Sequence, residues 1–76
     1  MKKYSAYIEK ERMLYVVAVV KGDKDEASLH MGRMQGYKEA LFNIGVDFAK
    51  ICDLHDRIMT AIDFAYRMKK LYQLRF

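Results

Sequence analysis

The sequence predicts an all-α fold, one domain of three helices over residues 1–76, and three observations support this prediction. Proline is absent, although average usage would place about four prolines in a chain of this length. Hydrophobic residues make up 53% of the chain, which is more than a disordered segment contains. Two glycine-containing breaks separate three segments, and the last has helical periodicity. We therefore predict helices at residues 4–21, 24–44 and 47–74.

The first segment contains an apolar run, residues 13–20, that is rich in β-branched side chains. Such a run fits a buried helix or a buried strand. A strand would need a partner strand, and no other segment qualifies, so it would have to pair across a dimer. We expect a helix; an N-terminal strand at residues 13–20 that pairs across a dimer is the alternative.

The second segment begins at a capping motif, because Asp23 can accept a bond from the backbone of Glu26. Small residues then recur at every fourth position: Ser28, Gly32, Gly36 and Ala40. Each step of four residues advances about 40° around a helix, so they form a slanting strip, here called the small-residue ladder. A glycine inside a helix costs up to about 1 kcal/mol relative to alanine. The ladder therefore predicts close approach of another helix, from the same chain or from a second subunit.

The third segment follows Gly45, which suits a left-handed helix end, and Asp47, which suits a helix start. Residues at helical spacing are expected to form its buried face: Phe48, Ile51, Cys52, His55, Ile58, Met59, Ile62, Ala65 and Tyr66. A second stripe widens this face towards the end of the chain: Ala61, Phe64, Met68, Leu71 and Tyr72. One neighbouring helix cannot cover both stripes, so we predict that the second stripe contacts a partner or a second subunit.

Cys52 and His55 lie one turn apart and could suggest a metal site, or a nucleophile with its base. A metal would need more ligands, and the only other histidine, His30, belongs to the second segment. The sequence also has no glycine-rich phosphate loop and no nucleophile elbow. We expect Cys52 to lie in the core and His55 to be hydrogen-bonded in the core or at an interface, and we predict no catalytic residues, no metal and no cofactor.

The net charge of +4 is concentrated at the end of the chain. Charges alternate in sign over residues 2–12, which is typical of a solvated face. The last ten residues interleave aromatic and aliphatic side chains with four basic ones: Arg67, Lys69, Lys70 and Arg75. This mixture could bind phosphates while its rings stack on bases, so a nucleic-acid-binding regulator is the alternative function. The apolar run is too short to span a bilayer, and we expect a cytoplasmic protein without membrane contact.

A chain of 76 residues buries only part of its apolar surface, and its single cysteine excludes an internal disulfide. Self-association is the remaining ordinary way to complete such a core. The sequence thus predicts a homodimer with the long third helices at or near the contact. The predicted function is non-enzymatic: binding another protein as a small adaptor, inhibitor or regulatory subunit.

Overall fold

Three α-helices form an up-down-up bundle in the computed structural model, which describes the backbone of residues 2–74 and the side chains of residues 6–73. Helix α1 spans Lys2–Lys21, α2 spans Lys24–Asn43 and α3 spans Phe48–Leu74. α1 and α3 are parallel, since Glu9 contacts Arg57 near one end of the pair and Val20 lies beside Met68 near the other. α2 runs antiparallel to both. The described residues contain no strand, and residues 13–20 lie within α1.

Local signals set both breaks between the helices, as the sequence predicts. Gly22 and Gly45 have φ angles of 81° and 87°, a left-handed conformation that glycine adopts without steric cost. The Asp23 carboxylate accepts a hydrogen bond of 3.1 Å from the Glu26 backbone N–H and so caps the start of α2. Asp47 has the corresponding place before α3, where its backbone carbonyl accepts the first bonds of the helix.

The core lies along the axis between the three helices and is narrow. All three helices contribute to it: Ile8, Tyr15, Val19, Met34, Leu41, Ile51, Leu54, Ile58, Ala61 and Ala65. Among the described residues, thirteen large hydrophobic side chains are exposed, whereas eleven hydrophobic residues, three of them alanines, are buried. The bundle therefore leaves more large apolar side chains in water than it encloses.

The apolar run of α1 is buried on one side only. Tyr15, Ala18 and Val19 are buried, while Met13 and Val17 are exposed. α2 and α3 cover only part of the circumference of α1, so the remaining side chains of the run have no neighbouring helix. The interpretation of this run as a fully buried helix is therefore wrong for its outer side.

The buried face of α3 is rotated relative to the predicted one. Ile51, Ile58 and Ala65 are buried as predicted, but Leu54 and Ala61 complete the face. Five residues assigned to the buried face are exposed: Phe48, Cys52, His55, Met59 and Tyr66. Apolar residues surround most of α3, so periodicity alone does not show the direction from which the other helices approach.

α3 is longer than its neighbours, with 27 residues against 20 in each of α1 and α2. At about 1.5 Å per residue, it is roughly 10 Å longer than either of them. Leu71 lies beyond the last residue of α1 in the parallel pair and is 59% exposed. The end of α3 therefore has fewer helices to pack against than its middle.

Candidate interaction surface

An open apolar groove runs between α1 and α3, on the side of the bundle away from α2. Its larger part has a volume of about 370 Å³ and continues into a second part of about 260 Å³. Val16, Val17 and Phe64 line both parts. The apolar side chains that line the whole surface, here called the α1–α3 groove, are Met13, Val16, Val17, Val20, Phe64, Met68 and Tyr72. Two helices that are distant in sequence thus form one apolar surface.

Charged side chains at one end of the groove neutralise one another. The Arg12 guanidinium donates hydrogen bonds of 3.0 Å to both carboxylate oxygens of Glu9. Glu9 also lies 3.7 Å from Arg57, and Arg57 pairs with Asp53 at 3.3 Å. These two cations and two anions cancel. Lys21, at the opposite end, is the remaining charged residue among the described residues that line the groove.

The second stripe predicted on α3 lies largely on this surface. Phe64, Met68 and Tyr72 line the groove, and Leu71 is exposed one turn after Met68. Ala61 is fully buried and belongs to the core, so its assignment to the contact surface is wrong. The half of the groove that α1 supplies was not predicted, because the sequence does not show that α1 packs parallel to α3 and leaves one side of its apolar run open.

The small-residue ladder on α2 faces solvent. Ser28, Gly32, Gly36 and Ala40 are all exposed, and a Cβ atom placed on Gly32 or Gly36 would meet no atom within 4 Å. Met34 and Leu41 point the opposite way, into the core, whereas Leu29 and Phe42 are also exposed. The described residues therefore supply no helix that contacts the ladder. Contact between the ladder and a second molecule stays a prediction.

The described basic residues near the end of α3 point to two sides of the helix. Arg67 pairs with Asp63 at 3.1 Å, whereas Lys69 lines a small cavity beside the turn between α1 and α2. Because Arg67 and Lys69 are two positions apart, they point about 160° apart around the helix. Lys70 is exposed and lies about 60° from Arg67, and Arg75 lies outside the described residues. Nucleic-acid binding through this tail stays a prediction.

Cys52 and His55 lie on the surface of α3. Cys52 is an exposed free thiol, and the Lys38 ammonium donates a hydrogen bond of 2.9 Å to His55 Nδ1. The part of the chain that the structure describes contains no group of three or more His, Cys, Asp or Glu side chains that could hold a metal ion. The core position predicted for Cys52 is wrong, and His55 does not lie in the core either, because α3 directs Ile51 and Leu54 there instead. A position of His55 at an interface stays a prediction.

A buried hydrogen bond joins α1 to α2. His30 Nδ1 donates a hydrogen bond of 2.5 Å to Glu11 Oε2, and the two side chains are 9% and 4% exposed. The second ring nitrogen of His30 lies 3.2 Å from the Glu26 carboxylate. Arg33 lies 3.7 Å from the other oxygen of Glu11. Glu11 is therefore a buried carboxylate whose closest partner comes from another helix.

The interpretation of residues 2–12 as a solvated face is wrong for Glu11. This residue follows Ile8 by three positions and precedes Tyr15 by four, which places all three on one side of a helix. That spacing is the signal that could have identified the buried position of Glu11.

Tyr15 is itself buried, and this burial, with a smaller contribution from the nearby Tyr66, raises the pKa of its phenol above the ordinary value of 10.0.

None of the helices in residues 2–74 combines the length and the apolar character needed to cross a membrane. Comparisons with known proteins found no matching family model, no similar curated protein and no similar solved structure. The surface itself is therefore the basis for the function proposed below.

Proposed function

We propose that this protein is a small non-enzymatic interaction module that binds another polypeptide through the α1–α3 groove. The observation that carries the proposal is the grouping of exposed apolar side chains on two adjacent helices. Single exposed apolar residues are common on soluble proteins and need no explanation. A large contiguous apolar patch, unlike a single exposed residue, commonly marks a site where a protein contacts another molecule.

The size of the groove supports this proposal. Its five exposed lining residues are between 39% and 69% exposed: Met13, Val17, Phe64, Met68 and Tyr72. If a large apolar side chain presents about 200 Å² when fully exposed, these five contribute on the order of 500 Å². The largest apolar patch on a typical monomer covers about 300–600 Å². The groove therefore lies towards the upper end of that range within a chain of only 76 residues.

The shape of the groove favours a helical partner. Its lining residues recur at intervals of three and four along α1 and at intervals of four along α3. Two parallel helices with this spacing offer a channel into which the apolar face of a third helix can pack. An adaptor, an inhibitor or a regulatory subunit could each use such a surface.

Selection of helical peptides tests the proposal. The immobilised protein, at a density low enough to keep its copies apart, is offered a displayed library of amphipathic helical peptides. We expect enrichment on the wild type and its loss on Phe64→Asp, because the substitution places a charge in the groove. Phe48→Asp is the matched control, since Phe48 is also an exposed phenylalanine of α3 but lies outside the groove. No enrichment, or equal enrichment on both variants, would show that the groove is not a binding surface.

A further inference from the structure

We infer that the polypeptide bound in the α1–α3 groove is the same groove of a second copy of this chain, so that two bundles meet face to face across a two-fold axis near Phe64. This inference rests on the proposed function and names its partner. Three properties of the groove support it: its area, its charge and its position relative to the narrow core.

The area of the groove matches what one side of a stable dimer needs. A standard interface buries about 800 Å² on each partner, and roughly 60% of that area is apolar. This requires slightly less than 500 Å² of apolar surface on each side, which is what the exposed lining residues supply on the estimate of about 200 Å² for each fully exposed side chain. A second copy would therefore cover the groove without leaving a large apolar remainder.

The charges around the groove permit self-association although each chain carries +4. Arg12 and Arg57 are neutralised by Glu9 and Asp53 at one end, so two copies bring no large array of like charges together. A strongly acidic partner would meet mainly Lys21, and a strongly basic partner would find no unpaired anion lining the groove in the described residues. Charge complementarity thus favours a partner whose contact surface is apolar and nearly neutral, as this groove is.

The narrow core gives a reason for association. A chain of this size buries a smaller fraction of its surface than a larger domain does, and oligomerisation is one ordinary source of the missing stability. Ile8, Met34 and Ile58 are the large side chains that are fully enclosed among residues 6–73. Pairing the grooves would add the exposed side chains of α1 and α3 to a second apolar layer. A two-fold arrangement is the commonest way in which one surface covers itself.

Phe64 lies at the centre of the predicted contact, because it lines both parts of the groove. Aromatic residues at the centre of an interface carry a disproportionate share of the binding free energy. We therefore expect Phe64→Asp to raise the dissociation constant by about 30-fold or more. Val17→Asp, on the facing helix, should have a similar effect and does not depend on the folding of the Phe64 variant.

Sedimentation equilibrium across the micromolar range tests the inference on the full chain, with circular dichroism to verify that each variant is helical. We expect a dimer for the wild type and for Phe48→Asp, and a dissociation constant at least about 30-fold higher for Phe64→Asp and Val17→Asp. A folded monomeric wild type at 100 µM overturns the inference. Groove variants whose dissociation constant is unchanged also overturn it. So does a dimer that Gly36→Leu dissociates instead, because that result would place the contact on the small-residue ladder.

The two proposals fail in different ways. If the wild type is monomeric but still enriches helical peptides that Phe64→Asp does not retain, the groove binds a different polypeptide, and only the inference of a second copy is wrong. If the wild type is monomeric and enriches no peptide, both proposals are wrong.

Discussion

Replacing His30 with leucine should destabilise the bundle, because it removes the closest partner of a buried carboxylate. The side chains of His30 and Glu11 are 9% and 4% exposed and lie 2.5 Å apart, so water screens their interaction little. Without His30, the remaining cation is Arg33, which lies 3.7 Å from Glu11 and is itself 49% exposed. Leaving a buried group without its hydrogen-bond partner costs about 1–3 kcal/mol, and more when the group is charged.

Arg33 reduces this cost in the variant, because it retains part of the attraction to the carboxylate. We therefore expect His30→Leu to lower the free energy of unfolding by about 1–3 kcal/mol, measured by urea denaturation with circular dichroism. In a domain of this size the melting temperature should fall by roughly 5–25 °C. All variants are compared at one protein concentration, because self-association would add to the measured stability.

A double-mutant cycle identifies the source of the loss. Glu11→Leu with His30→Leu removes the buried charge together with its partner, and replacing such a pair by apolar residues is often neutral or stabilising. We expect the free energy of unfolding of the double variant to lie within about 1 kcal/mol of the wild-type value. Its loss of stability should therefore be much smaller than the sum of the two single losses. Additive losses, or a loss below about 0.5 kcal/mol for His30→Leu alone, would refute the assignment of this energy to the pair.

Four further substitutions test other features by the same denaturation assay. Gly36→Ala should raise stability by about 0.5–1 kcal/mol, because its new methyl group enters open space; a loss would mean that the ladder is covered. Ile58→Ala should cost about 2–5 kcal/mol, since Ile58 is fully buried, whereas exposed Cys52→Ser should change stability by less than about 0.5 kcal/mol. The folded state raises the pKa of Tyr15 above 10.0. The contribution of the neutral phenol to the free energy of unfolding is therefore complete below pH 10 and is lost as pH rises through the raised pKa. Tyr15→Phe should therefore lose less stability than the wild type between pH 8 and pH 11, and equal losses would contradict this explanation.

The ends of the helices could be predicted because their causes are local. Gly22 and Gly45 adopt positive φ, and Asp23 caps α2 with its own side chain, so each signal acts within a few residues of its position. The predicted segments accordingly differ from the observed helices by no more than two residues at any end. Such signals depend on the backbone itself and not on the arrangement of the other helices.

The buried faces could be predicted only in part, because they depend on where the neighbouring helices lie. α3 has apolar side chains on most of its circumference, and the predicted face included Cys52 and His55, which are exposed. In α1, Glu11 belongs to the buried stripe because His30 reaches it from α2, a contact between residues 19 positions apart. For the same reason, only the α3 side of the groove could be predicted. The α1 side could not, since the outward direction of Val17 follows from the parallel packing of α1 on α3.

The projecting end of α3 has a consequence for how its sequence can change over evolution. Leu71 lies where α1 has already ended and is mostly in water, so the monomer would fold equally well with a polar residue at that position. Folding therefore places little selective pressure on its apolar character. If related chains keep a large apolar residue at this position, that pattern would record a contact made outside the monomer. The rate of substitution at Leu71 can be compared with the rate at a core residue such as Ile58. The comparison would measure how strongly that contact has been selected.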